Sequence, residues 1–158
     1  MSTQTHVPSL LSRAGTASVL LAAVGGTMLA PGAVSEAHAQ PAAAAAKALH
    51  VAASKKGSPY KHGAAGPHRF DCSGLTVFSY KKAGKSLPRT AQQQYNKSRH
   101  IPASSRKRGD LVFFHYGSSV YHVGIYAGAG KIWHSPKSGQ VVRLERIWSK
   151  SVWYGRVR

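Results

Sequence analysis

Cysteine is almost missing from this chain: Cys72 is the only one in 158 residues. A single thiol excludes an internal disulfide. No Cys-x-x-Cys or His-x-x-x-His pair involves Cys72, His122 or His134, which speaks against a zinc framework built on them. Acid is nearly as scarce. Four Asp and Glu stand against 22 Lys and Arg, giving a formal net charge of +18, and such an excess predicts attraction to polyanions. No internal repeat is visible. After Ala39 no apolar run approaches the roughly 20 residues a bilayer span needs, so stable membrane insertion of that part is not expected.

What is present divides into a leader and one domain. Residues 1–39 carry Arg13 as their only Lys or Arg, then an apolar stretch from about Ala17 to Ala30, then Ala37-His38-Ala39. This reads as a secretory signal peptide cleaved after Ala39, and so as a secreted or wall-associated protein. The remaining 119 residues suffice for one hydrophobic core without disulfide staples. We divide them into a short linker, 40–46, and a domain, 47–158, expected to act as a monomer. The alanine-rich segment 41–54 favours a first helix, and Gly and Pro punctuate a loop from Lys55 to Arg69. Asp71 is placed to cap a helix opening near Cys72, with Leu75, Phe78 and Lys82 along one face and Gly84 closing it. Thr90 caps a shorter helix. From Gly109 onward the texture turns to short β-rich runs: Leu111–Phe114, Tyr121–Ala127, Lys131–His134, Val141–Glu145 and Val152–Val157. Gly and Ser clusters separate them, which predicts an antiparallel meander. Helices followed by strands make the expected fold class α+β.

A lone thiol in an exported chain that also holds histidines reads as a nucleophile. The reactive form is the thiolate, favoured by a helix N-terminus and by a neighbouring imidazolium. Cys72 stands at such a terminus, and His122 lies in a predicted strand that could pack against that helix. If Tyr121–Ala127 and Lys131–His134 form a hairpin, His134 neighbours His122 and can fix its tautomer and tilt. Backbone N–H groups near Cys72, with the Tyr60 hydroxyl, could stabilise an oxyanion. Against this stands the ordinary fate of a free cysteine, burial as a small hydrophobe; the polar Asp71-Cys72-Ser73-Gly74 turn is unusual company for that role. His50, His62, His68, His100 and His115 scatter among polar residues and read as solvated.

Five separated blocks then form a recognisable pattern. They are Pro59-Tyr60 with Gly63 and Gly66-Pro67; Phe70-Asp71-Cys72-Ser73-Gly74-Leu75; Leu87-Pro88-Arg89-Thr90 with Gln94; Gly109-Asp110-Leu111-Val112-Phe113-Phe114; and His122-Val123-Gly124-Ile125-Tyr126. In order and spacing the chain resembles the NlpC-type cell-wall cysteine peptidases over about residues 45–158. The resemblance implies a papain-like α+β domain with the nucleophile helix packed on an antiparallel sheet. It implies cysteine endopeptidase action on peptidoglycan stem peptides, at the bond between γ-D-glutamate and a diamino acid, with no metal or organic cofactor. Cys72 matches the family nucleophile, His122 its general base and His134 the third polar residue. Tyr60 matches a tyrosine beside the nucleophile, and Asp71 and Ser73 match flanking residues where substrate-amine and backbone contacts are expected. One departure stands out: Tyr60-Lys61-His62-Gly63-Ala64 replaces a usual Tyr-x-Trp-Gly-Gly, so a titratable ring takes an aromatic place.

Two rival readings remain. The same triad could act as an N-acetylmuramoyl-L-alanine amidase or an acyltransferase. Alternatively, the basic, aromatic-bearing chain could be a polyanion- or nucleic-acid-binding module. The export signal argues against nucleic acid as the functional partner. Anionic wall polymers remain a partner for Lys55-Lys56, Lys81-Lys82 and Arg106-Lys107-Arg108.

Overall fold

A computed structural model describes residues 36–158, with side chains from Gln40 onward. Most of the predicted signal peptide, residues 1–35, therefore lies outside the described residues. The elements are α1 (Glu36–Ser54), α2 (Cys72–Lys82), α3 (Ala91–Lys97), β1 (Arg99–Ile101), a 3-10 turn (Ala103–Ser105), β2 (Leu111–Tyr116), β3 (Ser119–Gly128), β4 (Lys131–His134), β5 (Arg143–Arg146) and β6 (Val152–Arg156). The six strands form one antiparallel sheet in the order β1-β6-β2-β3-β4-β5. The fold is α+β, with helices packed on the sheet. The expected meander holds for β2 to β5. β6 instead crosses back between β1 and β2, because both strands offer a free edge on that side.

Helix α1 corrects one expectation: residues 40–46 are helical, not a linker. Alanine is the strongest helix former, and the small side chains of Ala44, Ala48 and Ala52 are buried beside Leu49, letting the helix lie close to its neighbours. Helix α2 begins where Asp71 accepts the Gly74 N–H at 2.7 Å. It ends beyond Lys82 with Gly84 at φ +80°. Its buried stripe is Leu75, Thr76, Ser79 and Tyr80, not the Leu75–Phe78–Lys82 line. Thr76 and Tyr80 tolerate burial because their hydroxyls are satisfied: Thr76 Oγ1 donates at 2.7 Å and the Tyr80 hydroxyl donates to the Gly109 carbonyl at 2.5 Å. Thr90 and Gln93 form a reciprocal capping box at the start of α3.

The apolar run Leu111-Val112-Phe113-Phe114 is buried on both faces of the sheet. Leu111 and Phe113 join Val123 and Ile125 against the helices, with Leu49, Phe70, Leu75 and Tyr80. Val112 and Phe114 face the other way, with Tyr126, Ile132 and Tyr154. This double burial explains why β2 lacks the alternation of a half-exposed strand. β1, which the sequence did not suggest, is a three-residue edge whose Arg99 and His100 are exposed. No described helix is long and apolar enough to cross a membrane.

Candidate active site

Cys72 is the first residue of α2, and the loop before it is held tightly. The Asp71 N–H donates to the Ala64 carbonyl at 2.9 Å. That same carbonyl lies 2.0 Å from where a Cβ on Gly74 would sit. Any side chain at position 74 would push the loop off the helix start, which accounts for the glycine in the Asp-Cys-Ser-Gly turn. The sulfur is partly buried. Burial, then the Asp71 charge, push its pKa up; backbone N–H groups of Val123, Ser73 and Cys72 itself act in the other direction by favouring the thiolate. Val123 can offer its amide because regular β3–β4 pairing stops at Ile125↔Trp133. The sulfur thus meets the peptide link that joins Val123 to His122.

His122 lies on β3 opposite Phe114 of β2, and His134 closes β4. Across the hairpin, His122 Nε2 and His134 Nδ1 are 2.9 Å apart, and His134 Nε2 lies 2.9 Å from Glu145 Oε2 on β5. Arg143 donates to the same carboxylate oxygen from Nε at 2.8 Å. Trp148 stacks on Phe114 at 4.0 Å between centroids and covers both imidazoles, at 5.6 Å from His122 and 5.3 Å from His134. Burial therefore dominates the ring chemistry. It lowers the His122 pKa to about 3, with the neighbouring His134 adding to the effect. It also lowers that of His134, against the pull of Glu145. The sequence left open whether a thiolate–imidazolium pair exists before substrate arrives; the structure disfavours it at rest. Burial raises the thiol and depresses the imidazole, so both groups are held neutral, and no side-chain hydrogen bond joins Cys72 to His122.

Asp71 is more fully engaged than the resemblance implied. Its carboxylate accepts from the Gly74 and Gly63 amides, and from Arg89 at 3.0 Å and 2.5 Å. Burial works to raise its pKa, but Arg89 and the two amides outweigh it and hold the group below the usual carboxylate range. Arg89 also donates to Ser73 Oγ at 2.9 Å. Asp71 and Ser73 thus form part of a braced helix cap. Tyr60 sits within electrostatic reach of Cys72 and Asp71; burial and then those two charges raise its hydroxyl pKa. Tyr60, His62, Asp71, Cys72 and Arg89 line a cleft of about 460 Å³. His122, His134, Lys137 and Trp148 line a second of about 380 Å³, and Tyr121 borders both.

Sequence reasoning missed Arg89, Glu145, Trp148 and the Val123 amide. Arg89 stood inside a recognised block, and a chain with four acids has few candidates for its partner. Glu145 and Trp148 lay in β-rich text with nothing to distinguish them.

A thiol at a braced helix terminus stands beside a strand carrying a buried imidazole pair, on an α+β scaffold. The chain belongs to the NlpC/P60 family, whose model matches residues 57–157. It is 46% identical over 133 residues to a protein of Corynebacterium glutamicum strain R named a probable endopeptidase, covering 84% of this chain and 59% of that one. It is also 46% identical over 88 residues to the bifunctional muramidase/DL-endopeptidase CwlT of Bacillus subtilis, covering 53% of this chain and 27% of that protein. Against the solved P60 domain of a Mycobacterium avium subspecies paratuberculosis antigen, the TM-score is 0.67 at 30% identity, covering 73% of this chain and 96% of that one. The peptidoglycan hydrolase RipB of Mycobacterium tuberculosis gives a TM-score of 0.67 at 29% identity, covering 76% of this chain and 68% of that one. The chain spans between about a fifth and three-fifths of the length of the curated relatives described as probable endopeptidases.

Proposed function

We propose that this protein is an exported cysteine endopeptidase that cuts peptidoglycan stem peptides at the γ-D-glutamyl–diamino acid bond. The observation that carries the reading is the junction of two arrangements. Backbone amides of Cys72, Ser73 and Val123 act on one sulfur, and the residue before Val123 heads a chain from His122 through His134 to Glu145. The names of relatives support the substrate class: the CwlT protein is described as a DL-endopeptidase and RipB as a peptidoglycan hydrolase.

The chemistry follows from the neutral resting state. Substrate entering the cleft brings its carbonyl to Sγ, and His122 Nδ1 takes the thiol proton as the carbon–sulfur bond forms. Active-site contacts that are long at rest commonly tighten at this stage. In this reading backbone amides near Cys72, with the Tyr60 hydroxyl, stabilise the developing oxyanion. The tetrahedral intermediate collapses as His122 returns the proton to the leaving amine, giving an acyl-thioester and a free amino terminus. Water, deprotonated by His122, then releases the acid and regenerates the thiol. Because His122 protonates the leaving amine, that fragment departs on the side of the His122–Lys137 cleft, and the acyl fragment occupies the Cys72 cleft. No step needs a metal or organic cofactor.

Digestion of purified peptidoglycan by the mature protein and by Cys72→Ala, with mass analysis of the fragments, tests the proposal. New amino termini on the diamino acid, absent with Cys72→Ala, are expected. Release of L-alanine amino termini would instead assign an amidase. Unchanged lysis by Cys72→Ala would remove the nucleophile. Export by residues 1–39 and retention on anionic wall polymers belong to the same proposal, the second resting on the cationic excess.

A further inference from the structure

We infer that Glu145 is a positioning residue that sets the tautomer of both histidines and leaves Nδ1 of His122 as the basic atom. The inference rests on the proposed general-base role of His122. It goes beyond that role by adding a fourth member to the relay and assigning every proton along it.

The argument is an inventory of donors and acceptors. Arg143 holds Glu145 with Nε and Nη2, both at 2.8 Å. The carboxylate stays ionised, and an ionised carboxylate only accepts. His134 Nε2, 2.9 Å away, must therefore carry a hydrogen. A neutral imidazole has one N–H, so His134 Nδ1 holds a lone pair. It faces His122 Nε2 at 2.9 Å, and two lone pairs at that distance would repel. His122 Nε2 must then carry the hydrogen, and Nδ1 is left bare. The opposite assignment would set a lone pair of His134 against the carboxylate. Without Glu145, either direction of the histidine–histidine bond satisfies both rings, and part of the population would hold its hydrogen on His122 Nδ1, where it cannot accept the thiol proton. The other charged and titratable groups bordering this cleft are Lys137, Arg143 and Tyr121. Arg143 is the cross-strand neighbour of His134 and its charge opposes protonation of that ring, but its side-chain hydrogen bond goes to Glu145.

Histidine side-chain ¹⁵N NMR on the full-length protein reads the tautomers without substrate. The wild type should show His122 and His134 both protonated at Nε2. Glu145→Ala should mix the two tautomers and lower kcat by about tenfold or more, with KM little changed. Glu145→Gln keeps a carbonyl oxygen as acceptor and should recover most of both signals. β5 is half-exposed at Glu145, so melting curves can confirm folding. Wild-type His122 protonated at Nδ1, or Glu145→Ala with an unchanged spectrum and kcat, would overturn the inference. A spectrum that shifts as expected in a protein that cleaves no peptidoglycan would instead overturn only the proposed function.

Discussion

At the scale of single residues, the site is governed by what burial does to charge. A histidine held at a depressed pKa keeps its lone pair in acid, so kcat/KM should hold to well below pH 6.5. A pH–rate profile whose acid limb falls at 6.5 or above would show that His122 is not held down as described. The same shift has a consequence for stability. His122 binds its proton at about 3 when folded and near 6.5 when unfolded. The unfolded chain therefore takes up a proton that the folded chain refuses. Stability is fully present above 6.5 and is lost as pH falls from there toward 3. Asp71 and Glu145, both held low, add losses in the same direction but only in the carboxylate range. Denaturant unfolding of His122→Asn should thus be flatter than wild type between pH 6.5 and 4.5. Arg89 offers a third test. Replacing it with leucine strands the Asp71 carboxylate, which is 6% exposed. Arg89 is itself 39% exposed, and water can replace part of what it gives, so about 1–2 kcal/mol should be lost.

At the scale of elements, the geometry depends on where strands and helices stop. β4 ends at His134, and the β3 edge beyond it supplies the Val123 amide to sulfur. α2 can start at Cys72 only because position 74 has no side chain. Gly74→Ala would place a methyl group 2.0 Å from the Ala64 carbonyl oxygen. It should cost more activity than the substitution's loss of stability alone predicts, because the displaced residue is the proposed nucleophile. Comparing kcat and melting temperature for this variant checks that. A full-rate enzyme with a lowered melting point would show that the loop can move without the sulfur.

At the scale of the whole molecule, acid has been reserved for architecture. Asp71, Asp110 and Glu145 are each taken up by an arginine, respectively Arg89, Arg156 and Arg143. Among the described side chains no other carboxylate remains to neutralise the surface lysines and arginines. Attraction to an anionic wall should therefore be long-ranged and sensitive to salt. Sedimentation with purified walls should fall steeply between 50 mM and 500 mM salt for the Cys72→Ala protein, which lacks the proposed nucleophile. Retention that ignores salt would point to a shape-specific contact instead.

The sequence by itself determined the fold class, the helix opening at Cys72 with its Asp71 cap, the Thr90 cap and the hairpin that brings two histidines together. These are local matters: a cap needs a side chain within three residues, and a hairpin needs two β-rich runs with a turn between them. Only the tertiary structure decided that β6 returns beside β2, that residues 40–46 are a docked helix and that Asp71 is locked to Arg89. It alone revealed Glu145 behind His134. Each of these joins residues far apart in the chain, or depends on which small side chains let two backbones approach. The charge state of Cys72 and His122 belongs to the same category. Residue types supplied a thiol and an imidazole, but desolvation by Trp148, Phe114 and the sheet, which no local pattern encodes, sets whether they meet as ions or as neutral groups.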